Sequence, residues 1–436
     1  MFYPGEARAL GAEVDELLGG IEPAPRLGFP KALVVPHAGY IYSGPVAAAA
    51  YDQLAPARGI VRRVVLLGPV HRVPVRGLAI PTAEAFSTPL GQVKIDHAAL
   101  ASVRELPQVL ASDAAHLQEH ALEVQLPFLQ RQLGEFALAP FAVGDASVAQ
   151  VAQVLERLWG GPETLIVIST DLSHYHAYAR AREIDGATLE RIAQFATDLD
   201  HEEACGATPL NGFLASARER NLSIRLLAAC NSGDTAGGKG QVVGYSSFAL
   251  YEPGTEVSST EAGKTLLAIA RSAIEAKLYG SARTVDAPWL RQVGATFVTL
   301  TRDGALRGCI GSLEAARALG TDVAENALAA AFRDPRFPPM TAAEWPNVRV
   351  EVSLLSAPKP MRFADEADLL AQLKPGEDGV ILEFGGRRAT YLPQVWESIS
   401  DKRLFMRELA RKAGLGDDLR LARCKVSRYR VSKWME

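Results

Sequence analysis

Three stretches of the chain, Ala32 to Val35, Val61 to Gly68 and Leu165 to Ser169, carry apolar runs, the second only after Arg62-Arg63, and each stops at residues that can do chemistry. Such runs read as buried strands, and in an open α/β sheet the loops at strand ends build the functional site. The first run breaks at Pro36 and presents His37. The second ends in Pro69-Val70-His71, and the third leads into Thr170-Asp171-Leu172-Ser173-His174-Tyr175-His176. A fourth strand, Ile224 to Ala229, stops at Cys230.

The spacing of apolar residues predicts helices over 6–19, from Pro45 to Tyr51, over 148–158, after His176 and over 209–220, with strands at Phe136 to Val143 and Val242 to Tyr251. Phe86 to Gly91 reads as a loop. Residues 116–132 read as a helix with Glu119 and Glu123 on one face and His116 and His120 on the next. Glu252 to Thr260 is polar with Pro and Gly and reads as a linker, with a new helix capped near Thr260. The domain expectation is therefore 1–252, a linker over 253–260, and 261–436. In the second part Phe297 to Leu300, Val348 to Leu355 and Gly379 to Phe384 read as strands, with helices near 321–332 and 401–413.

A hydrophobic fraction of 48% fits a globular chain, and a net charge of −4 argues against a nucleic-acid partner. No apolar run is long enough for a membrane span, and the opening residues do not read as a signal peptide. The four cysteines form no Cys-x-x-Cys pair, which excludes a zinc ribbon and a disulfide framework. The expectation is a cytoplasmic, reduced protein. Gly233 to Lys239 fits the start of a phosphate-binding loop, but Gly240 stands where Ser or Thr must hold magnesium.

Imidazole and thiolate at successive strand ends suit a borderline metal such as Fe(II) or Zn(II). Asp171 and His174, three apart, can face one cavity, with the carboxylate orienting the imidazole for general acid/base work or ligation. Asp234 is a carboxylate four residues beyond Cys230 and an alternative donor. Tyr40, Tyr42 and Ser43, beside His37, read as pocket walls, with His120 and Glu123 as further members.

The segments Met1 to Pro4, Pro36-His37-Ala38-Gly39-Tyr40, Gly68-Pro69-Val70-His71, Glu119 to Pro127, Ser169 to His174, and Ser232-Gly233-Asp234 to Val243-Gly244-Tyr245 together resemble the Memo family over residues 1–252. Memo proteins are similar in fold to class III extradiol dioxygenases of the LigB type, which implies an open mixed sheet flanked by helices. The resemblance implies His37 and His71 as metal ligands, Cys230 as a thiol in place of a carboxylate ligand, and His174 as the catalytic histidine.

In the second half, Arg307-Gly308-Cys309-Ile310-Gly311 sets Cys309 between two glycines, where Arg307 can lower its thiol pKa. Arg307, Arg336, Arg387 and Arg388 can converge as an anion pocket, with surface exposure as the alternative. These motifs, with Asp334 to Pro339, Glu351 to Ser356 and Gly379 to Pro393, resemble the AMMECR-type domain, which implies a smaller α+β fold. The two families and a radical SAM protein make up the AmmeMemoRadiSam system. This chain lacks the Cys-x₃-Cys-x₂-Cys motif of the radical SAM member.

The expected function is a metal-dependent oxidoreductase related to extradiol dioxygenases. It would carry Fe(II), with Zn or Cu as other candidates, and act on a small aromatic or redox substrate with a radical SAM partner. Alternatives are a non-enzymatic metal- or peptide-binding adaptor and a zinc hydrolase.

Overall fold

The computed structural model describes residues 2–255, 257–280, 285–416 and 421–436. Met1 of the opening motif and Glu256 of the linker lie outside the described residues. The chain forms two compact units, Met1–Ile21 with Phe29–Glu256, and Glu22–Gly28 with Val257–Glu436.

In chain order the first unit runs α1 (Ala7–Gly19), β1 (Ala32–Val35), α2 (Tyr40–Tyr51), β2 (Arg63–Pro69), β3 (Leu78–Ile80), β4 (Ala85–Thr88) and β5 (Gly91–Lys94). Next come α3 (His97–Val103), β6 (Val109–Ala111), α4 (Asp113–Leu117), α5 (His120–Glu123), α6 (Leu126–Leu133), β7 (Ala137–Val143) and α7 (Val148–Leu158). It closes with β8 (Thr164–Ser169), β9 (His174–His176), α8 (Tyr178–Ala193), α9 (Ala207–Glu219), β10 (Ser223–Asn231) and β11 (Val242–Tyr251).

The main sheet has the order β10-β11-β1-β8-β2-β7-β3-β6, with β9 paired to β11. Its centre, β1-β8-β2-β7, is parallel, while β11 runs antiparallel to β1 and β3 antiparallel to β7. Every residue of β1 and β8 is buried, as runs without polar alternation require when helices cover both faces. Helix α7 buries Val151, Val154, Leu155 and Leu158 at helical spacing and starts with a Ser147–Gln150 capping box. Each such side chain contributes about 1.5–3 kcal/mol. Gly212 on α9 lets the two helices meet, since a Cβ there would fall 2.3 Å from that of Val151.

Two expectations fail here. Phe86 to Gly91 is no loop: β4 and β5 form a hairpin, turning at Pro89-Leu90 with Gly91 at φ +124°. Nor is 116–132 one helix. The chain leaves helical geometry at Glu119 (φ −90°, ψ 120°), which caps α5, and α6 starts afresh with Pro127 in its first turn. The break turns Glu119 and His120 toward the strand ends.

In the second unit, helix Ser259–Tyr279 starts from a Ser258 cap, ahead of the expected Thr260. With helix Leu319–Phe332 it covers an antiparallel sheet of Ala305–Gly311, Thr296–Arg302, Val348–Leu355 and Val431–Met435, in that order. A second antiparallel sheet, Lys359–Pro360, Lys425–Tyr429, Gly379–Phe384 and Arg387–Tyr391, shares a separate core with helix Lys402–Lys412. The architecture is α/β followed by α+β, as the sequence predicts. Among the described residues no helix is long and apolar enough to cross a membrane.

Candidate metal centre

Strand order brings the chemistry together. β8 lies between β1 and β2, with Val35 opposite Ser169, so His37 and His71 leave the sheet on either side of the end of β8. His120, at the start of α5, supplies a third imidazole. Ligand atoms of His37, His71 and His120 all lie within 4.8 Å of one another. Ring centroids are 5.3 Å apart for His37–His71, 5.4 Å for His37–His120 and 4.9 Å for His71–His120.

Hydrogen bonds fix which nitrogen His37 and His71 present. Gln125 Nε2 donates to the Pro36 carbonyl and to Ser169 Oγ, both at 2.9 Å, while its oxygen accepts from Tyr51. Ser169 gives its one proton to the Ala121 carbonyl at 2.6 Å. Its oxygen therefore accepts from His37 Nδ1 at 2.9 Å, which leaves Nε2 as the ring nitrogen that carries the lone pair. His71 is held likewise. Glu119 accepts its backbone N–H at 2.7 Å and its Nδ1 at 2.9 Å, and also takes Ala121 N at 2.9 Å. The His120 Nδ1 atom is buried without a hydrogen-bond partner, 3.4 Å from Glu119 Oε1, and the ring stacks on Phe2 at 4.2 Å.

Burial pushes His37 down to about 3, helped by the neighbouring His71, and burial with the nearby His37 takes His120 to about 4. Both rings are neutral near pH 7, the form that ligates. For Glu119 burial acts upward, but the bonds from His71 and Ala121 outweigh it and hold the carboxyl at about 2. Three imidazoles, two with their outer nitrogen anchored and one with an orphaned buried nitrogen, fit a borderline divalent metal.

Other expected members sit differently. Asp171 does not orient His174: its carboxylate accepts the backbone N–H of His37 at 2.7 Å, because the in-register neighbours β1 and β8 bring the two loops together. The Leu172 carbonyl accepts from His174 Nδ1 at 2.8 Å, so Nε2 of His174 carries the lone pair. Beside it Tyr175 holds φ +62° while 70% exposed, a strained backbone next to a candidate acid/base. Cys230 is outside the histidine group; it lines a different set of walls with Tyr178, Asp234 and Tyr245. The bulged pairing of β10 with β11 carries it there. Asp234 accepts from Tyr178 and from Asn231 N, within the same walls.

Tyr40 and Ser43 are not pocket walls, since α2 begins at Tyr40 and turns both inward. Tyr40 bonds the Val124 carbonyl at 2.7 Å and Ser43 the Ala38 carbonyl at 2.9 Å, both buried. Tyr42 is 37% exposed. Glu123 is exposed and accepts from Tyr3.

The sequence reading missed Ser169, Gln125 and Cys205, and gave Glu119 no role at the site. The Cys205 thiol lies 3.3 Å from His37 Nε2, and burial with the Asp171 charge pushes it up to about 12, so it donates S–H to that lone pair. No spacing rule exposes it, whereas Gln125 and Ser169 lie inside motifs whose neighbours are apolar.

In the second unit Arg307 and Arg336 do approach, both over the Phe337 ring, at 5.8 and 5.6 Å. Each is already paired: Arg307 with Glu344 at 3.2 Å, and Arg336 with Asp334 at 2.7 Å. Arg336 holds the Asp334 carboxyl far below its usual range, and Arg307 holds Glu344 at about 2. Arg387 donates to the Gly414 carbonyl, and Arg388 pairs with Glu314 and Glu383. An open anion pocket does not result. Cys309 Sγ sits 3.3 Å from the Thr299 hydroxyl.

The profile of the Memo-like protein family matches residues 1–249. The chain belongs to the Memo family. The AMMECR1 profile matches 267–434, so a Memo-like and an AMMECR1 domain occur in one chain. A MEMO1 family protein of Aquifex aeolicus is 36% identical over 257 residues, covering 56% of this chain and 94% of the relative. One of Aeropyrum pernix is 37% identical, covering 49% and 81%. A crystal structure of an uncharacterised Pyrococcus horikoshii protein matches with 33% identity over 40% of this chain and 91% of that chain, at a TM-score of 0.36.

Proposed function

We propose that the Memo-like unit is a metal-dependent oxidoreductase centre, with Fe(II) held by His37, His71 and His120. The observation that supports this is the convergence of three imidazole ligand atoms within 4.8 Å of one another. Bound there, iron would supply redox chemistry toward O₂ and a small aromatic substrate. Around it, Ser169 and Glu119 keep the Nε2 atoms of His37 and His71 aimed inward. Burial keeps His37 and His120 neutral. His174, with Nδ1 committed to the Leu172 carbonyl, offers Nε2 to take or return a substrate proton. The AMMECR1 unit would deliver substrate or dock a radical SAM partner, a reading supported by the pairing of the two families in one chain.

A second reading follows from the donor set, which contains no carboxylate. Three histidines are also the ligand set of a catalytic zinc that activates water. Metal analysis of protein purified without oxygen separates the readings: about one iron per chain supports the first, about one zinc the second. His37→Ala and His120→Ala should lose the ion while remaining folded, and Cys230→Ala should keep it. A folded protein that takes up neither ion would sink both and favour the adaptor.

A further inference from the structure

Cys230 and Asp234 help wall a cavity of about 440 Å³ lined by α8 and by the ends of β10 and β11. That size lies within the range of small-molecule sites. Arg182 and Asp185 both line it, three residues apart and so adjacent on one face of α8. Opposite charges at that spacing ordinarily pair with each other. Here neither has an oppositely charged partner within ion-pair distance among the described residues.

Asp185 is only 7% exposed; it accepts from the Ser173 N–H at 3.0 Å, and His174 and His176 lie near enough to act on its carboxyl. It presses so closely on β11 that a Cβ at Gly244 would fall 2.1 Å from its Oδ2. A buried carboxylate without a cation is costly, and a ligand ammonium would offset that cost. Arg182 is exposed; it bonds the Tyr178 side chain, with its guanidinium 5.9 Å from that ring's centre, and its charge acts on Asp234, to which Tyr178 gives its hydroxyl proton. Leu172 and Leu189 supply apolar wall.

We propose that this cavity binds a free amino acid with an apolar or aromatic side chain. Its ammonium would sit on Asp185, its carboxylate on Arg182 and its side chain against the two leucines. The proposal does not depend on the histidine centre, and His37→Ala should leave it unchanged.

Calorimetric titration of the full chain with L-phenylalanine, phenethylamine and 3-phenylpropionate tests it. L-Phenylalanine should bind saturably, and each analogue, lacking one charge, should bind about tenfold more weakly or worse. Arg182→Gln, at an exposed position, should reduce phenylalanine to the level of phenethylamine without altering phenethylamine itself. Asp185→Asn, with its thermal melt recorded to verify folding, should weaken the two amines and leave 3-phenylpropionate unchanged. No saturable heat at about 10 mM ligand would overturn the proposal. So would equal binding of all three compounds, or phenylalanine binding indifferent to Arg182→Gln.

Discussion

Glu119→Gln keeps the side chain's size while removing its charge and one acceptor oxygen. In the native site Oε2 accepts the His71 N–H, and Oε1 accepts both His71 Nδ1 and Ala121 N. An amide nitrogen in the Oε2 position would face an N–H. In the Oε1 position it would face Ala121 N and force His71 to accept at Nδ1, which moves the ring proton to Nε2 and removes the ligand lone pair. Either choice loses a charge-assisted bond worth about 1.5–3 kcal/mol. Holding the carboxyl at about 2 against an ordinary 4.5 is worth about 3 kcal/mol, which agrees in size. A depressed carboxyl pKa stabilises fully above pH 4.5, and that stabilisation is lost as pH falls through 2. Urea unfolding should therefore show the variant about 2–3 kcal/mol less stable at pH 7, with the gap to wild type closing between pH 4.5 and 2. Titration with zinc should show affinity down about 10–100-fold. A gap that stays constant with pH, or a zinc affinity within about twofold of wild type, would refute the reasoning.

Lys31, 5% exposed, donates to the carbonyls of Trp159, Gly161 and Thr164, and Lys31→Met should lower stability by about 3 kcal/mol in a denaturation curve by orphaning them. Tyr175→Gly relieves a left-handed backbone and should raise the melting temperature by the equivalent of about 1 kcal/mol; a fall would show that the strain is compensated by contacts of the ring. At Gly308 a Cβ would lie 2.2 Å from the Ala330 carbonyl oxygen, so Gly308→Ala should destabilise the AMMECR1 unit by about 1–3 kcal/mol, read by its own unfolding transition.

The parts legible in the sequence were those set by local pattern. Apolar runs marked β1, β2 and β8, and their ends marked His37, His71 and Asp171. What the pattern hid was direction. Helical spacing over 116–132 masked the break at Glu119, because Glu is a poor cap and no Gly or Ser announces the turn. Pro127 was the available sign, since proline belongs in a first turn rather than a helix interior. Tyr40 and Ser43 were misread because the helix begins at Tyr40, before the Pro45 start that was expected, and this turns both side chains inward. Cys230 followed the motif, but its side chain is set by a bulge in the β10–β11 pairing, which apolar periodicity does not encode.

The bonds that pose the histidine rings reach far along the chain: Ser169 is 132 residues from His37, and Glu119 is 48 from His71. No short fragment contains the site, and no helix or hairpin can form it early. The chain must close its long parallel crossovers first, which is the slow part of folding for such a topology. An ion that binds these rings therefore joins a finished sheet and cannot act as the nucleus of its folding. The unfolded chain should reach its native secondary structure at the same rate whether or not metal is present.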